Sequence, residues 1–166
     1  RFVVAGAVEQ GGLFDQPIAE EASPMPDDRR AFAVPKEFVD LAQNLILHRS
    51  ADRFDLMYRL LWRLKDEPDL IKVISDRDVA DALERVKNVC RASHKMKAFV
   101  RFRQVHDDLG EAWVAWFEPP HRVLEKTAPF FQRRFTTMRW SILTPDGSAF
   151  WDGEALRFGP PATRDM

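Results

Sequence analysis

Between Arg91 and Arg103 six cationic or titratable side chains follow one another closely: Arg91, His94, Lys95, Lys97, Arg101 and Arg103. Residues 91–106 hold five Lys/Arg and two His and no acid. Cations grouped in this way can hold a polyanion, because each Lys or Arg that meets a phosphate releases a condensed counterion and adds a salt-dependent contact. The same residues have a plain structural reading. Cations favour the negative end of a helix macrodipole, and Arg101 and Arg103 on an open strand face are ordinary solubilising charges.

A second group is Phe130-Phe131-Gln132-Arg133-Arg134-Phe135. Two guanidiniums beside three aromatics can stack on bases and hold phosphates. Alternatively the Phe residues are core and Arg133 and Arg134 are helix surface. A third group is His94 with Glu118 and His121, the candidates for catalysis. A buried carboxylate–histidine pair does acid–base work, or else forms a structural hydrogen bond. The spacing Glu118-x-x-His121 occurs in helical metal sites, but Pro119 and Pro120 stand between the two and deny them one regular helical turn. No metal or cofactor is expected. His48 and His106 read as peripheral.

Familiar signatures of other chemistries are missing from the sequence: no Walker A loop, no dinucleotide glycine fingerprint, no Gly-x-Ser-x-Gly elbow and no cysteine cluster. Cys90 stands alone, which excludes a disulfide framework and makes a reducing, cytoplasmic setting the default. No apolar run approaches the roughly 18 residues of a membrane span, so no membrane partner is expected. Thirteen Phe and five Trp in 166 residues are enough to build a core without metal or disulfides. The net charge of −1 gives no global field for nucleic acid, but it is unevenly spread. From Arg91 to Trp140 ten Lys/Arg oppose five Asp/Glu, a local +5, so the remainder carries −6.

These residues must be positioned by the elements around them. Phe2 to Val8 reads as a strand, and residues 9–33 as a Gly-, Pro- and acid-rich tether. Pro35 can open a helix bearing Phe38, Leu41, Ala42, Leu45 and Ile46. Phe54, Met57, Tyr58, Leu61 and Leu64 form a second stripe, ended before Pro68. A short helix from Pro68 carries Leu70, Ile71, Val73 and Ile74. Ser75-Asp76-Arg77-Asp78 reads as a capping box opening the longest helix, which buries Val79, Leu83, Val86 and Cys90. On that wheel His94 falls on the border of the apolar face and Lys97 at its centre, where a charge is costly. The helix is therefore expected to stop near Met96. A strand from Phe99 to Val105 follows, with Val100 and Phe102 on one face and Arg101 and Arg103 on the other. Asp107-Asp108-Leu109-Gly110 turns the chain into Ala112 to Glu118. A helix from Val123 to Phe135, interrupted at Pro129, leads to a meander with turns at Pro145-Asp146-Gly147 and Asp152-Gly153. The five tryptophans are assigned to the core, Trp151 alone having a second reading as exposed beside its turn.

The fold class is α+β: an N-terminal helical half packed on a small, mostly antiparallel sheet with one further helix. The organisation is an N-terminal strand and tether over 1–33, one domain over 34–158 and a linker-like tail over 159–166. A start at Arg1 and a Pro-rich end suggest a piece of a longer protein.

His94-Lys95-Met96, Phe99-Val100-Arg101-Phe102, Glu118-Pro119-x-His121, Ala128-Pro129-Phe130-Phe131, Arg133-Arg134-Phe135 and Trp140 occur here in an order and spacing that resemble the domain-of-unknown-function 4130 family. The resemblance covers roughly Phe32 to Phe158. It implies a role in DNA metabolism or repair. It also implies, as a partner, either a uracil-DNA glycosylase-like domain in the same chain or a separate radical SAM protein. The segments around Trp140 to Pro145 and Trp151 to Gly153 look like the glycosylase-fused type, although glycosylase motifs are missing from these residues. The expectation is a non-catalytic accessory domain whose Arg91, His94, Lys95, Lys97, Arg101, Arg103, Arg133 and Arg134 engage DNA. The competing expectations are an enzyme acting on a damaged base through His94 and Glu118, and a protein-interaction module without DNA affinity.

Overall fold

The computed structural model describes residues 33–164. The expected N-terminal strand and the tether up to Phe32 lie outside the described residues. Helix α1 spans Lys36–Leu45 and α2 spans Arg53–Arg63. A single 3-10 turn at Leu70–Lys72 precedes α3, Arg77–Phe99. Strands β1, Arg103–Asp107, and β2, Gly110–Trp116, form a hairpin. Helix α4, Leu124–Arg134, then carries the chain to β3, Trp140–Thr144, and on to β4, Gly147–Trp151, and β5, Leu156–Gly159. The strands lie side by side in chain order in one five-stranded sheet. All neighbours are antiparallel except β2 and β3, which run parallel because α4 crosses between them. The class is α+β, as the sequence implies.

Two buried clusters share one helix. Phe38, Leu41 and Leu45 of α1, Leu56 and Leu60 of α2, Leu64 and Leu70 close around Val79 and Ala82 in the first part of α3. Val89, Ala92 and Met96 in its last part pack with Leu124, Ala128 and Phe131 of α4 and with Ala115, Trp140, Ile142, Ala149 and Trp151 of the sheet. A helix of 23 residues is about 35 Å long, which is long enough to serve both.

The start of α3 is capped by Asp76 and not by Ser75. Its carboxylate accepts the backbone N–H groups of Asp78 and Val79 at 3.0 and 3.1 Å. The same carboxylate receives both Arg63 nitrogens, at 3.1 and 2.8 Å, which ties the end of α2 to the start of α3. The Arg63 guanidinium and, after it, the capped backbone N–H groups hold the Asp76 carboxyl below its usual range.

Several expectations are corrected. Helix α3 runs on to Phe99, three residues past Met96. Its buried face is formed by Val79, Ala82, Val89, Ala92, Ser93 and Met96, while Leu83 is exposed. The true face is rotated by roughly 80° from the one expected. That rotation moves Lys97 off the face centre and His94 into solvent, so nothing forces the helix to stop early. The strand consequently begins at Arg103 and not at Phe99, although Val100 and Phe102 do turn inward. In α2 the inward stripe is Leu56, Leu60 and, just beyond its end, Leu64. Phe54, Tyr58 and Trp62 point outward, so Trp62, 57% exposed, is not a core residue. Only Leu70 of the short helical segment is buried; Val73 and Ile74 are exposed. Helix α4 passes through Pro129 without a break. Gly110 and Gly153 adopt φ of 101° and 103° in the two turns, a region that favours glycine.

The position of this face is testable. Met96→Ala should cost about 2–5 kcal/mol of unfolding free energy, as expected for a large core side chain reduced to alanine. Lys97→Ala should leave the urea midpoint nearly unchanged. The reverse ranking would contradict the observed face of α3.

Candidate functional site

Helices α3 and α4 run in the same direction where they touch. The Ser93 and Thr127 hydroxyls, both buried, lie 2.9 Å apart, and one turn further on Lys97 Nζ stands 5.3 Å from the centre of the Phe130 ring. Their C-terminal ends therefore emerge at the same end of the molecule. The chain leaving α3 is pinned there by Phe102, whose ring meets Phe131, Phe135 and Trp140 at centroid distances of 6.0, 5.4 and 5.9 Å. Phe131 is buried and Phe130 and Phe135 are half-buried, so the aromatic members of both motifs are mainly structural.

The basic members behave differently. Arg91, His94, Lys95, Lys97, Arg101, Arg103, Arg133 and Arg134 are all exposed. They do not form one flat face. Helical spacing places Lys97 on the flank of α3 that adjoins α4, with Arg134 four residues beyond Phe130 on the facing flank. Arg91 and Lys95 lie one turn apart on the outward side of α3. Arg133 is turned by about 100° from Arg134. Arg101 donates to the carbonyls of Ala98 and Val100, at 2.7 and 3.0 Å, and so also caps the end of α3. Neither of the two clefts described below is lined by any of these residues.

Several of the domain's other cations are paired with acids, although Lys36, Arg53, Lys65, Arg77, Arg122 and Lys126 also lack a carboxylate within 4.0 Å among the described residues. Arg49, Arg59, Arg63, Lys72, Arg85, Lys87, Arg139 and Arg157 each lie within 4.0 Å of a carboxylate. Among the described residues none of the seven Lys/Arg at 91–103 and 133–134 does.

The third group is not assembled as the sequence implies. Glu118 accepts the Trp116 indole N–H at 2.8 Å, within its own strand end. His94 lies exposed on α3, and among the described residues it makes no hydrogen bond to Glu118 or His121. His121 instead stacks on His48, with ring centres 4.3 Å apart. This overturns the reading of His48 as peripheral. The Nδ1 of His121 accepts the backbone N–H of Arg49 at 3.3 Å. The Nδ1 of His48 accepts the backbone N–H of Ser50 at 3.3 Å and lies 2.8 Å from its hydroxyl, which itself accepts from Arg85 at 2.8 Å. The Arg49 side chain donates to the carbonyls of Pro119 and Pro120 and pairs with Asp146 at 2.5 Å. Arg85 also pairs with Asp52, holding that carboxyl down to about 2, and with Asp81. This network joins the α1–α2 loop to the loop before α4 and to the β3–β4 turn. It lies at the end where α4 begins, away from Lys97 and Arg134. Beside it is a cleft of about 240 Å³ lined in part by Arg122, Glu125, Asp146 and Ser148. A second cleft of about 370 Å³ lies among Val105, Val114, Arg139 and Phe150 at the hairpin side of the sheet. Among the described residues no group of three His, Cys, Asp or Glu could hold a metal ion. None of the described helices is long and apolar enough to cross a membrane.

Both histidines are held below the ordinary 6.5. Desolvation is the first cause for each, followed by Arg85 for His48 and by His48 and Arg49 for His121. The unfolded chain therefore takes up these protons first as pH falls. Stability should be flat above 6.5 and decline as pH drops below it, through the folded values. His48→Phe, which keeps a ring in the stack but cannot titrate, should flatten the decline in melting temperature between about pH 6.5 and pH 5. An unchanged slope would contradict the pair as its source.

No curated protein and no solved structure shows a significant match to this chain. A family model does: that of a domain of unknown function, DUF4130, matches residues 51–158, from the start of α2 to the middle of β5, and the chain belongs to this family.

Proposed function

We propose that this domain holds nucleic-acid phosphates and acts as the DNA-engaging accessory part of a repair system. The observation that carries the reading is the run of exposed cations without an acid among them, five Lys/Arg and no Asp/Glu over residues 91–106, beside Arg133 and Arg134. Arg91, Lys95, Lys97, Arg101, Arg103, Arg133 and Arg134 have no carboxylate partner among the described residues, while eight other Lys/Arg of the domain have one. Like charges crowded at two helix ends repel one another, and a polyanion relieves that repulsion while releasing its counterions. Spread over two helix ends and the start of a strand, the cations suit an extended backbone and not a small anion in a pocket. The sequence resemblance supplies the setting. There the domain works beside a uracil-DNA glycosylase-like domain of the same chain or a radical SAM protein, and the accessory role leaves any base chemistry to that partner.

The test is fluorescence anisotropy with the full 166-residue chain and labelled single-stranded and duplex oligonucleotides across a salt series. About four phosphate contacts give a slope of log K against log salt of roughly −3. Lys95→Ala and Arg134→Ala should each flatten it by about one contact, and Lys95→Glu with Arg134→Glu should abolish binding. Binding that ignores both salt and these changes would reject the assigned surface, as would no binding at all.

A further inference from the structure

Phe99 is the last residue of α3, it is 62% exposed, and it belongs to neither buried cluster. Its surroundings are specific. Arg91, Lys95 and Phe99 are spaced i, i+4, i+8, so they form one outward stripe with a rise of about 6 Å between members. Arg101, two residues on, is held beside it by its bonds to the carbonyls of Ala98 and Val100. The segment from Arg91 to His106 contains no acid to compete.

We infer that Phe99 is a stacking platform for an unpaired base, and that the nucleic acid held by this surface is single-stranded or locally open. The inference rests on the phosphate-binding reading above and narrows it. In a duplex the bases already stack on one another and offer no free face. In a single strand each base has an exposed π-face, and an aromatic side chain among cations binds it without regard to sequence. Here Arg91, Lys95 and Arg101 hold the strand's phosphates while Phe99 receives one of its bases. The other exposed aromatics do not fit this ligand. Phe54, Tyr58 and Trp62 lie on α2, where Asp52, Asp55, Asp66 and Glu67 accompany them; Phe150 shares its cleft with Asp107 and Asp152, and Phe158 shares the other with Glu125 and Asp146.

The experiment compares an oligothymidine of about 12 nucleotides with a blunt duplex, using anisotropy and the full chain. Phe99→Ala should weaken single-strand binding roughly ten-fold or more while leaving duplex binding and the salt slope almost unchanged, because no charge is lost. Phe99→Trp should retain wild-type affinity for the single strand. Circular dichroism should show both variants folded, since the residue is exposed. Equal single-strand affinity for Phe99→Ala and wild type, with salt dependence intact, would overturn the stacking role and leave the phosphate reading standing. An equal loss on both oligonucleotides would also overturn it. Failure of the wild type to bind either one would remove both.

Discussion

The packing of α3 against α4 is the contact on which the candidate surface depends. Val89, Ala92 and Met96 meet Leu124, Ala128 and Phe131, and the Ser93 and Thr127 hydroxyls satisfy each other inside the seam. A buried hydroxyl without a partner would be costly, so this pair also fixes the register of the two helices. Small residues at Ala92 and Ala128 let the backbones approach. With the register set, Lys97 must lie over Phe130, and the end of α3 must fall beside the end of α4. Phe102 closes the arrangement by entering the aromatic cluster of Phe131, Phe135 and Trp140.

This arrangement separates structure from surface within single motifs. Met96, Val100 and Phe102 are drawn inward by burial, and their neighbours Lys95, Lys97, Arg101 and Arg103 are left in water. The negative ends of two helix dipoles offset part of the repulsion among these cations, but a helix end compensates only about half a charge. Elsewhere the domain neutralises several of its arginines with carboxylates, as in Arg63 with Asp76 and Arg85 with Asp52 and Asp81. The opposite end of α4 follows that second pattern. There the stacked His48 and His121, with Arg49 across Pro119, Pro120 and Asp146, fasten three loops together. The Pro119-Pro120-His121 part of the Glu118-Pro119-x-His121 motif is thereby accounted for as a clamp, while Glu118 accepts the Trp116 indole N–H.

Much of this was legible in the sequence, and the failures have physical reasons. The turn signals, the three hairpins and the α+β class follow from local chemistry. The buried face of α3 does not, because Ala82, Ala92 and Ser93 are buried by close approach to other helices and not by their own hydrophobicity. Judged by hydrophobicity, Leu83 and Cys90 draw the face toward themselves, and this moves Lys97 into the core and ends the helix too soon. The same displacement hid Phe99, which looks like the first residue of an alternating strand and is in fact an exposed helix end. An excess of Lys/Arg over Asp/Glu was visible; which of them lack carboxylate partners was not, since partners such as Asp76 for Arg63 come from another element. The contact of His48 with His121 joins residues 73 positions apart, and nothing local announces it.

The central claim is that the ends of α3 and α4, and not the histidine clamp, form the working surface. An amide NMR titration with a short single-stranded oligonucleotide tests it most directly. The account predicts shifts concentrated at residues 91–103 and 130–135, saturating together and reversed by added salt. Shifts centred on residues 48–53 and 118–123, or none at either end, would contradict it.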